Sequence, residues 1–315
     1  MKVAVVGGGI AGLTAARTLN AAGHEAVVFE RARRPGGRMA TRRIDGARLD
    51  HGAQFFTVRT DEMAASVREW QADGKVREWC RGFSATGDGY PRYVADGGMN
   101  ALAQHVARGL DVRCESLVFS LHHSPAPHAW EVKLDDGTVS RHDALVITCP
   151  LPQTFSLLVT AEVAMPEALW RTDYDRTLTL LAVLDADSAV PPPGGVQGVG
   201  PFTFVGDNRA KGISAVPALT VHADPTWSAE HWNDDAASCH RALVDAAAPF
   251  VGRARIVTSQ VKRWRFATPQ AIWPEWHWSP EEHPSLAVAG DAFAGPRVEG
   301  AVLSGLAAAA ALMAG

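Results

Sequence analysis

Cysteine is scarce in these 315 residues, and the four present, Cys80, Cys114, Cys149 and Cys239, lie far apart. They form neither a C-x-x-C pair nor the dense pattern of a secreted disulfide scaffold, so the thiols are expected to be reduced, in a cytoplasm, with no metal site. An excess of basic residues is also missing. Thirty Lys and Arg stand against 34 Asp and Glu, giving a formal net charge of −4 and a pI near 6.3. Such a chain has no global field to draw it to nucleic acid or to an anionic membrane surface. No stretch approaches the ~18 uninterrupted apolar residues of a transmembrane helix. What is plentiful is hydrophobic content, 47%, which excludes disorder as the default. At roughly 100–200 residues per domain, the length suggests two domains around a small-molecule substrate.

Lys2 followed by an apolar run to Ala21-Ala22-Gly23 has the outline of a signal peptide. Its internal glycine spacing explains it better. Val3-Ala4-Val5-Val6 is the short apolar run of a strand buried on both faces of a parallel sheet. Gly7, Gly9 and Gly12 follow as G-x-G-x-x-G: a tight turn, a close backbone approach to a pyrophosphate, and a helix packed closely on its strand. The helix is expected from about Ala11 to Ala22, with its N-terminus facing the phosphates. Glu25 to Phe29 reads as a second strand ending in Glu30, an acid placed to accept hydrogen bonds from an adenosine ribose. By itself this unit does not separate NAD from FAD.

Directly after Glu30 runs Arg31-Ala32-Arg33-Arg34-Pro35-Gly36-Gly37-Arg38-Met39-Ala40-Thr41. This segment resembles the G-G-R-x-x-T extension of the flavin amine oxidase superfamily. The resemblance implies that Gly36 and Gly37 lie against FAD and that Arg38 approaches its phosphates. A glycine pair permits close backbone approach, and a guanidinium suits phosphate. Most of the six arginines between Arg31 and Arg43 read as a solvated loop. Near the C-terminus, Leu286 to Ala289 is another buried strand ending in Gly290-Asp291, and Arg297-Val298-Glu299-Gly300 opens an Ala- and Leu-rich helix reaching Ala314. It resembles the superfamily's closing flavin motif, in which the Asp meets the ribityl-phosphate region and the helix N-terminus faces the pyrimidine edge of the isoalloxazine. A helix N-terminus carries about half a positive charge and suits a reduced, anionic flavin. The expected cofactor set is Gly7, Gly9, Ala11, Gly12, Glu30, Arg31, Gly37, Arg38, Gln54, Gly290, Asp291, Glu299 and Gly300. No cysteine in the motif region is placed to tether flavin, so the FAD is expected to be non-covalent.

With cofactor motifs at both ends, the fold is expected to be α/β: a discontinuous Rossmann-type FAD domain (1–56, 96–150 and 281–315) and an inserted α+β substrate domain (57–95 and 151–280) on a mostly antiparallel sheet. Asp111 to Cys114 reads as a strand, Trp130 to Leu134 and Thr138 to Ser140 as a hairpin, and Ala144 to Thr148 as a return strand. Leu178 to Leu184, Phe202 to Val205, Ile213 to His222 and Arg255 to Trp264 read as longer strands, with a helix from about Ser228 to Ala248.

Four segments resemble the bacterial renalase-like group: Asp50-His51-Gly52-Ala53-Gln54-Phe55-Phe56; Arg92-Tyr93-Val94 with Gly98 to Leu102; Asp207-Asn208-Arg209-x-Lys211; and Gly290-Asp291 with Gly295 to Gly300. That likeness implies an FAD oxidase of isomeric dihydronicotinamide dinucleotides, with dioxygen as the final electron acceptor and hydrogen peroxide as product. It makes Gln54, Phe55 and His222 the catalytic candidates, with Phe56, Asn208, Arg209 and Trp264 around the substrate. Each has a plainer reading: aromatics as core packing, His222 as a structural strand-end residue, Asn208 to Lys211 as a solvated turn. Oxidation of a small amine, desaturation of a large apolar substrate and flavin binding without turnover stay open as alternatives.

Overall fold

The computed structural model describes residues 1–84, 87–124 and 129–314. The chain begins β1 (Lys2–Val6), α1 (Ile10–Ala21), β2 (Glu25–Phe29), β3 (Thr41–Ile44) and β4 (Ala47–Asp50). It continues through α2 (Asp61–Ala72), β5 (Val76–Cys80), β6 (Arg92–Ala95), α3 (Met99–Val106), β7 (Asp111–Arg113), β8 (Val118–His123), β9 (Trp130–Leu134), β10 (Val139–His142) and β11 (Ala144–Ile147). Then come α4 (Leu151–Thr160), α5 (Glu167–Trp170), β12 (Tyr174–Leu184), β13 (Gly195–Val199), β14 (Phe202–Asp207) and β15 (Ala218–Ala223). The last elements are α6 (Pro225–Glu230), α7 (Ala236–Val251), β16 (Ile256–Pro269), β17 (Leu286–Val288) and α8 (Val298–Ala314).

The apolar runs of β1, β11 and β17 are buried on both faces because they lie inside a parallel sheet, ordered β17-β11-β1-β2-β7. The two ends of the chain therefore meet in one sheet. On one face of it α1 and α8 pack backbone to backbone, since a Cβ at Gly305 would stand 2.2 Å from the Ala11 carbonyl oxygen. A second sheet, β13-β14-β15-β12-β16, is antiparallel throughout. One face, with Leu178, Leu180, Val205 and Val221, buries against Cys239, Leu243 and Ala247 of α7. On the other, Leu181, Val183 and Ala218 pack on Ile44, Ala47 and Leu49 of the β3–β4 hairpin. Period-two alternation thus joins this sheet to α7 on one side and to the N-terminal hairpin on the other. Among the described residues no helix is long and apolar enough to cross a membrane.

Several boundaries differ from the sequence reading. The helix expected from Ser228 to Ala248 is two helices, because Asp224 caps α6 through the Trp227 amide and Asp235 caps α7 through the Ala237 and Ser238 amides. The strand expected from Ile213 begins only at Ala218; before it Ser214 Oγ donates to the Val216 carbonyl and closes a turn that runs to Pro217. β16 extends past Trp264 to Pro269, and the β3–β4 and β5–β6 hairpins were not anticipated.

Candidate functional site

Two glycine turns meet at the carboxyl edge of the parallel sheet. Gly7 has φ +109°, in the region that favours glycine, and a Cβ there would stand 2.7 Å from Thr148 Oγ1. Gly36 donates its amide to the Gly8 carbonyl at 2.8 Å, and a Cβ at Gly37 would lie 3.2 Å from Gly9 Cα. The G-G-R turn is thus laid on the G-x-G turn. A Cβ added at Gly9 would meet nothing within 4 Å, and α1 begins there with no side-chain cap and no acidic residue in its first turn. An open backbone face at an uncapped helix N-terminus is the donor set that a pyrophosphate requires. Gly12 presses the helix on the loop, since a Cβ there would meet the Gly7 carbonyl at 2.1 Å. Ala11 is buried against α8 and offers a ligand only its backbone in that first turn.

Glu30 is buried, and its carboxylate accepts from the Gly8 amide at 2.8 Å and the Ala32 amide at 2.7 Å. It braces the glycine loop, and each oxygen has lone-pair capacity for a ribose hydroxyl as well. Arg31 beside it is exposed at the rim. Arg38 Nη2 donates to Asp291 Oδ1 at 2.5 Å, so residues 253 positions apart join the two cofactor motifs. Gly290 donates its amide to Ser304 Oγ of α8 at 2.8 Å, and a Cβ at Gly300 would stand 2.1 Å from the Gly295 carbonyl, so the start of α8 is pressed on its preceding loop. The open face at Gly9, the uncapped α1 and the Arg38–Asp291 link fit FAD. Glu299 departs from expectation: its Oε1 is turned away to the Arg59 amide, the Thr60 amide and Thr60 Oγ1.

Under the antiparallel sheet lies a closed polar network. Lys262, Thr179, His222 and Phe204 are direct partners across β16, β12, β15 and β14, and so share the face opposite α7. His222 Nδ1 lies 3.0 Å from Thr179 Oγ1, and its Nε2 lies 3.0 Å from Gln54 Nε2. Gln54 Nε2 also donates to the Asp50 carbonyl at 2.6 Å and the Gly52 carbonyl at 3.2 Å, while its Oε1 accepts from Lys211 Nζ at 3.4 Å. An amide nitrogen only donates, so His222 Nε2 is the acceptor and Nδ1–H donates to Thr179. Burial, with lesser contributions from His51 and Lys211, pushes the His222 imidazole down to about 3. Lys211 and Asp50 form an ion pair at 2.7 Å with both side chains fully buried. Burial pushes the Lys211 ammonium below its ordinary range, against the pull of Asp50. The other Asp50 oxygen accepts from Thr41 Oγ1 at 2.5 Å and the Met99 amide at 2.8 Å.

These contacts give the expected substrate-side residues internal partners. Gln54 and His222 spend their polar atoms on each other and on neighbours, because polar groups this deeply buried need internal partners. Asn208 is fully buried, accepting from the Asp50 amide and donating to the Ala218 carbonyl and Thr220 Oγ1. Lys211, next to it, is no solvated turn residue. Phe56 is core, stacked on Tyr93 at 5.6 Å and edge-on to Trp70, because consecutive side chains point opposite ways and Phe55 takes the other direction. Arg209 is half exposed and pairs with Asp187 at 2.9 Å.

Phe55 joins Trp79, Phe83 and Phe204 in an aromatic wall with centroids 5.1–6.4 Å apart. Trp264 donates Nε1 to the His51 carbonyl at 2.6 Å and stacks on its ring at 5.3 Å, with Lys262 Nζ 5.2 Å from the indole centroid. Burial, then Lys262 and Arg42, lower His51 to about 4. Asp50, His51, Thr179, Trp79 and Phe83 were not picked out from sequence as site residues. The one available signal was the Asp50-His51-Gly52 segment, which reads only as part of a family resemblance.

In sequence, residues 5–70 match the profile of the NAD(P)-binding Rossmann-like domain, and residues 68–174 that of flavin containing amine oxidoreductase. Putrescine oxidase of Kocuria rosea is 48% identical over 67 residues, 21% of this chain and 14% of that protein. Hydroxyneurosporene desaturase of Rubrivivax gelatinosus is 33% identical over 114 residues, 36% of this chain and 18% of that protein. The match thus spans less than a fifth of either relative's own length. A solved structure of putrescine oxidase bound to putrescine superposes with a TM-score of 0.75 at 15% identity, covering 100% of both chains. Residues 68–174 are thus similar in sequence to flavin containing amine oxidoreductases, and the whole chain shares the fold of putrescine oxidase, a likeness consistent with FAD as the cofactor.

Proposed function

We propose that the protein is an FAD-dependent oxidase of isomeric dihydronicotinamide dinucleotides, as in the renalase-like group, returning aromatic NAD(P) and hydrogen peroxide. The observation that carries this reading is the closed hydrogen-bonding of the sheet face opposite α7: both nitrogens of His222 and the Gln54 amide are committed internally. With His222 held down to about 3 and His51 to about 4, both imidazoles are neutral near pH 7 and poor proton acceptors. Hydride donation from a dihydronicotinamide needs no base, because rearomatisation of the ring drives it. FAD, when bound, supplies the hydride acceptor and passes the electrons on to dioxygen. The chain's part is to orient and to exclude water. Phe55, with its aromatic neighbours, and Trp264 supply flat apolar surfaces against which a nicotinamide can stack. Gln54 and His222, in place of touching substrate, hold each other and the sheet. Residues 1–56, 96–150 and 281–315 form the FAD domain in this reading, and 57–95 with 151–280 the substrate domain.

An amine as substrate is the second reading, supported by the putrescine oxidase likeness, although that identity lies in 21% of the chain. Anaerobic stopped-flow mixing separates the two. Rapid flavin bleaching by isomeric dihydronicotinamide dinucleotides, with recovery in air and peroxide release, is the expected result. Bleaching by simple amines and none by the dinucleotides transfers the assignment to amine oxidation.

A further inference from the structure

Glu299 lies in the first turn of α8, only 5% exposed, yet its Oε1 is given to a different helix. It accepts from the Arg59 amide at 2.8 Å, the Thr60 amide at 2.8 Å and Thr60 Oγ1 at 3.0 Å. Thr60 is the N-cap of α2, its Oγ1 also accepting from the Met63 amide. The carboxylate therefore sits between the N-termini of two helices, of 12 and 17 residues. Each N-terminus carries about half a positive charge, and one full negative charge brings the local sum close to zero.

This charge stands on the same side of the parallel sheet as the glycine turns. α1 follows β1 and α8 follows β17, so both helices start at the carboxyl edge of the same parallel sheet. Ala11 is the second residue of α1 and meets Gly305, the eighth of α8. Six residues of extra helix carry the start of α8 about 9 Å beyond that of α1; the inference rests on the FAD reading above, under which the redox end of the cofactor would lie on that side.

We infer that Glu299 sets the reduction potential of the bound FAD, holding it below the value that two unmasked helix N-termini would impose. Reduction adds negative charge to the flavin, and fixed protein charge beside the ring favours or opposes that change. An isosteric acceptor without the charge unmasks both helix ends. A carboxylate deprived of one of its donors is less neutralised and acts in the opposite direction.

The test is the midpoint potential of the FAD-loaded protein by spectroelectrochemistry, with sulfite titration of the oxidised flavin as a second readout. Glu299→Gln, which keeps an acceptor for Arg59 and Thr60, is expected to raise the potential and tighten sulfite binding by about tenfold. Thr60→Ala, which removes one donor and leaves the charge, is expected to lower the potential. A purely structural clamp would lower the melting temperature in both variants while leaving both potentials at the wild-type value, and that result overturns the inference. Should Glu299→Gln not retain FAD, the decision falls to Thr60→Ala, where an unchanged or raised potential overturns it equally.

Discussion

Replacing Lys211 by methionine isolates the one fully buried ion pair described. At 2.7 Å from Asp50, with both side chains at 0% exposure, Lys211 Nζ is the counter-charge for a carboxylate that cannot reach water. Removing it leaves Asp50 with the Thr41 hydroxyl and the Met99 amide but no cation in contact. Breaking a buried pair by deleting one partner costs about 3–5 kcal/mol, because the survivor is an uncompensated buried charge. Asp50→Asn strands the ammonium and belongs in the same range. In the double variant neither charge remains, and the residual cost is that of an unpaired amide, about 1–3 kcal/mol. The three variants should therefore be strongly non-additive, the double less destabilised than the two singles summed by at least about 3 kcal/mol. Urea unfolding of the FAD-loaded proteins measures this, with equal slopes required before midpoints are compared. Additivity within about 0.5 kcal/mol would refute the reasoning, since it would mean that the two groups do not share one desolvated site.

Glu30→Ala removes the acceptor for the Gly8 and Ala32 amides together with any ribose contact, and should weaken FAD by about 1.5–3 kcal/mol, read by equilibrium dialysis; full retention removes Glu30 from the cofactor site. Nitrogen-15 NMR of His222 should show the Nδ1–H tautomer, and Gln54→Leu should free Nε2 from its donor; an Nε2–H resonance in the wild type would reverse the hydrogen-bond direction assigned here. His51 and His222 titrate near 6.5 when unfolded and near 4 and 3 when folded, so the unfolded chain binds more protons below pH 6.5. Stability is then fully present above pH 6.5 and falls on acidification toward pH 4 and 3, by about 1.4 kcal/mol per pH unit for each histidine. Urea midpoints from these two groups that stay flat between pH 7 and 5, judged against a His51→Asn/His222→Asn double variant, would contradict the burial argument.

Much of the cofactor half is legible along the chain because its determinants are local. Val3 to Glu30 places strand, glycine turn, helix, strand and acid within thirty residues, and each step follows from backbone sterics and apolar runs. The G-G-R turn and the closing strand, Gly-Asp and helix are equally local, and their resemblance to the flavin amine oxidase superfamily implies FAD and a discontinuous domain before any contact is known. The helix break at Asp235 and the late start of β15 at Ala218 were missed because capping and turn contacts compete with apolar periodicity, and periodicity alone does not decide between them.

The site beneath the antiparallel sheet is another matter. Gln54 and His222 are 168 positions apart, Lys211 and Asp50 161, and Glu299 and Arg59 240. In sequence, Gln54 among aromatics and Asn208 beside Arg209 look like ligand-binding groups, since nothing local shows whether a polar side chain faces a cleft or another side chain. The register of β12, β15 and β16 decided that by bringing Thr179 opposite both His222 and Lys262. Residue types along the chain thus determined a dinucleotide-binding strand-turn-helix unit and the sheet that carries it, and a motif resemblance implied FAD. Only the tertiary structure decided which polar atoms are already satisfied, because a buried group's partners come from whichever distant strand the fold lays against it.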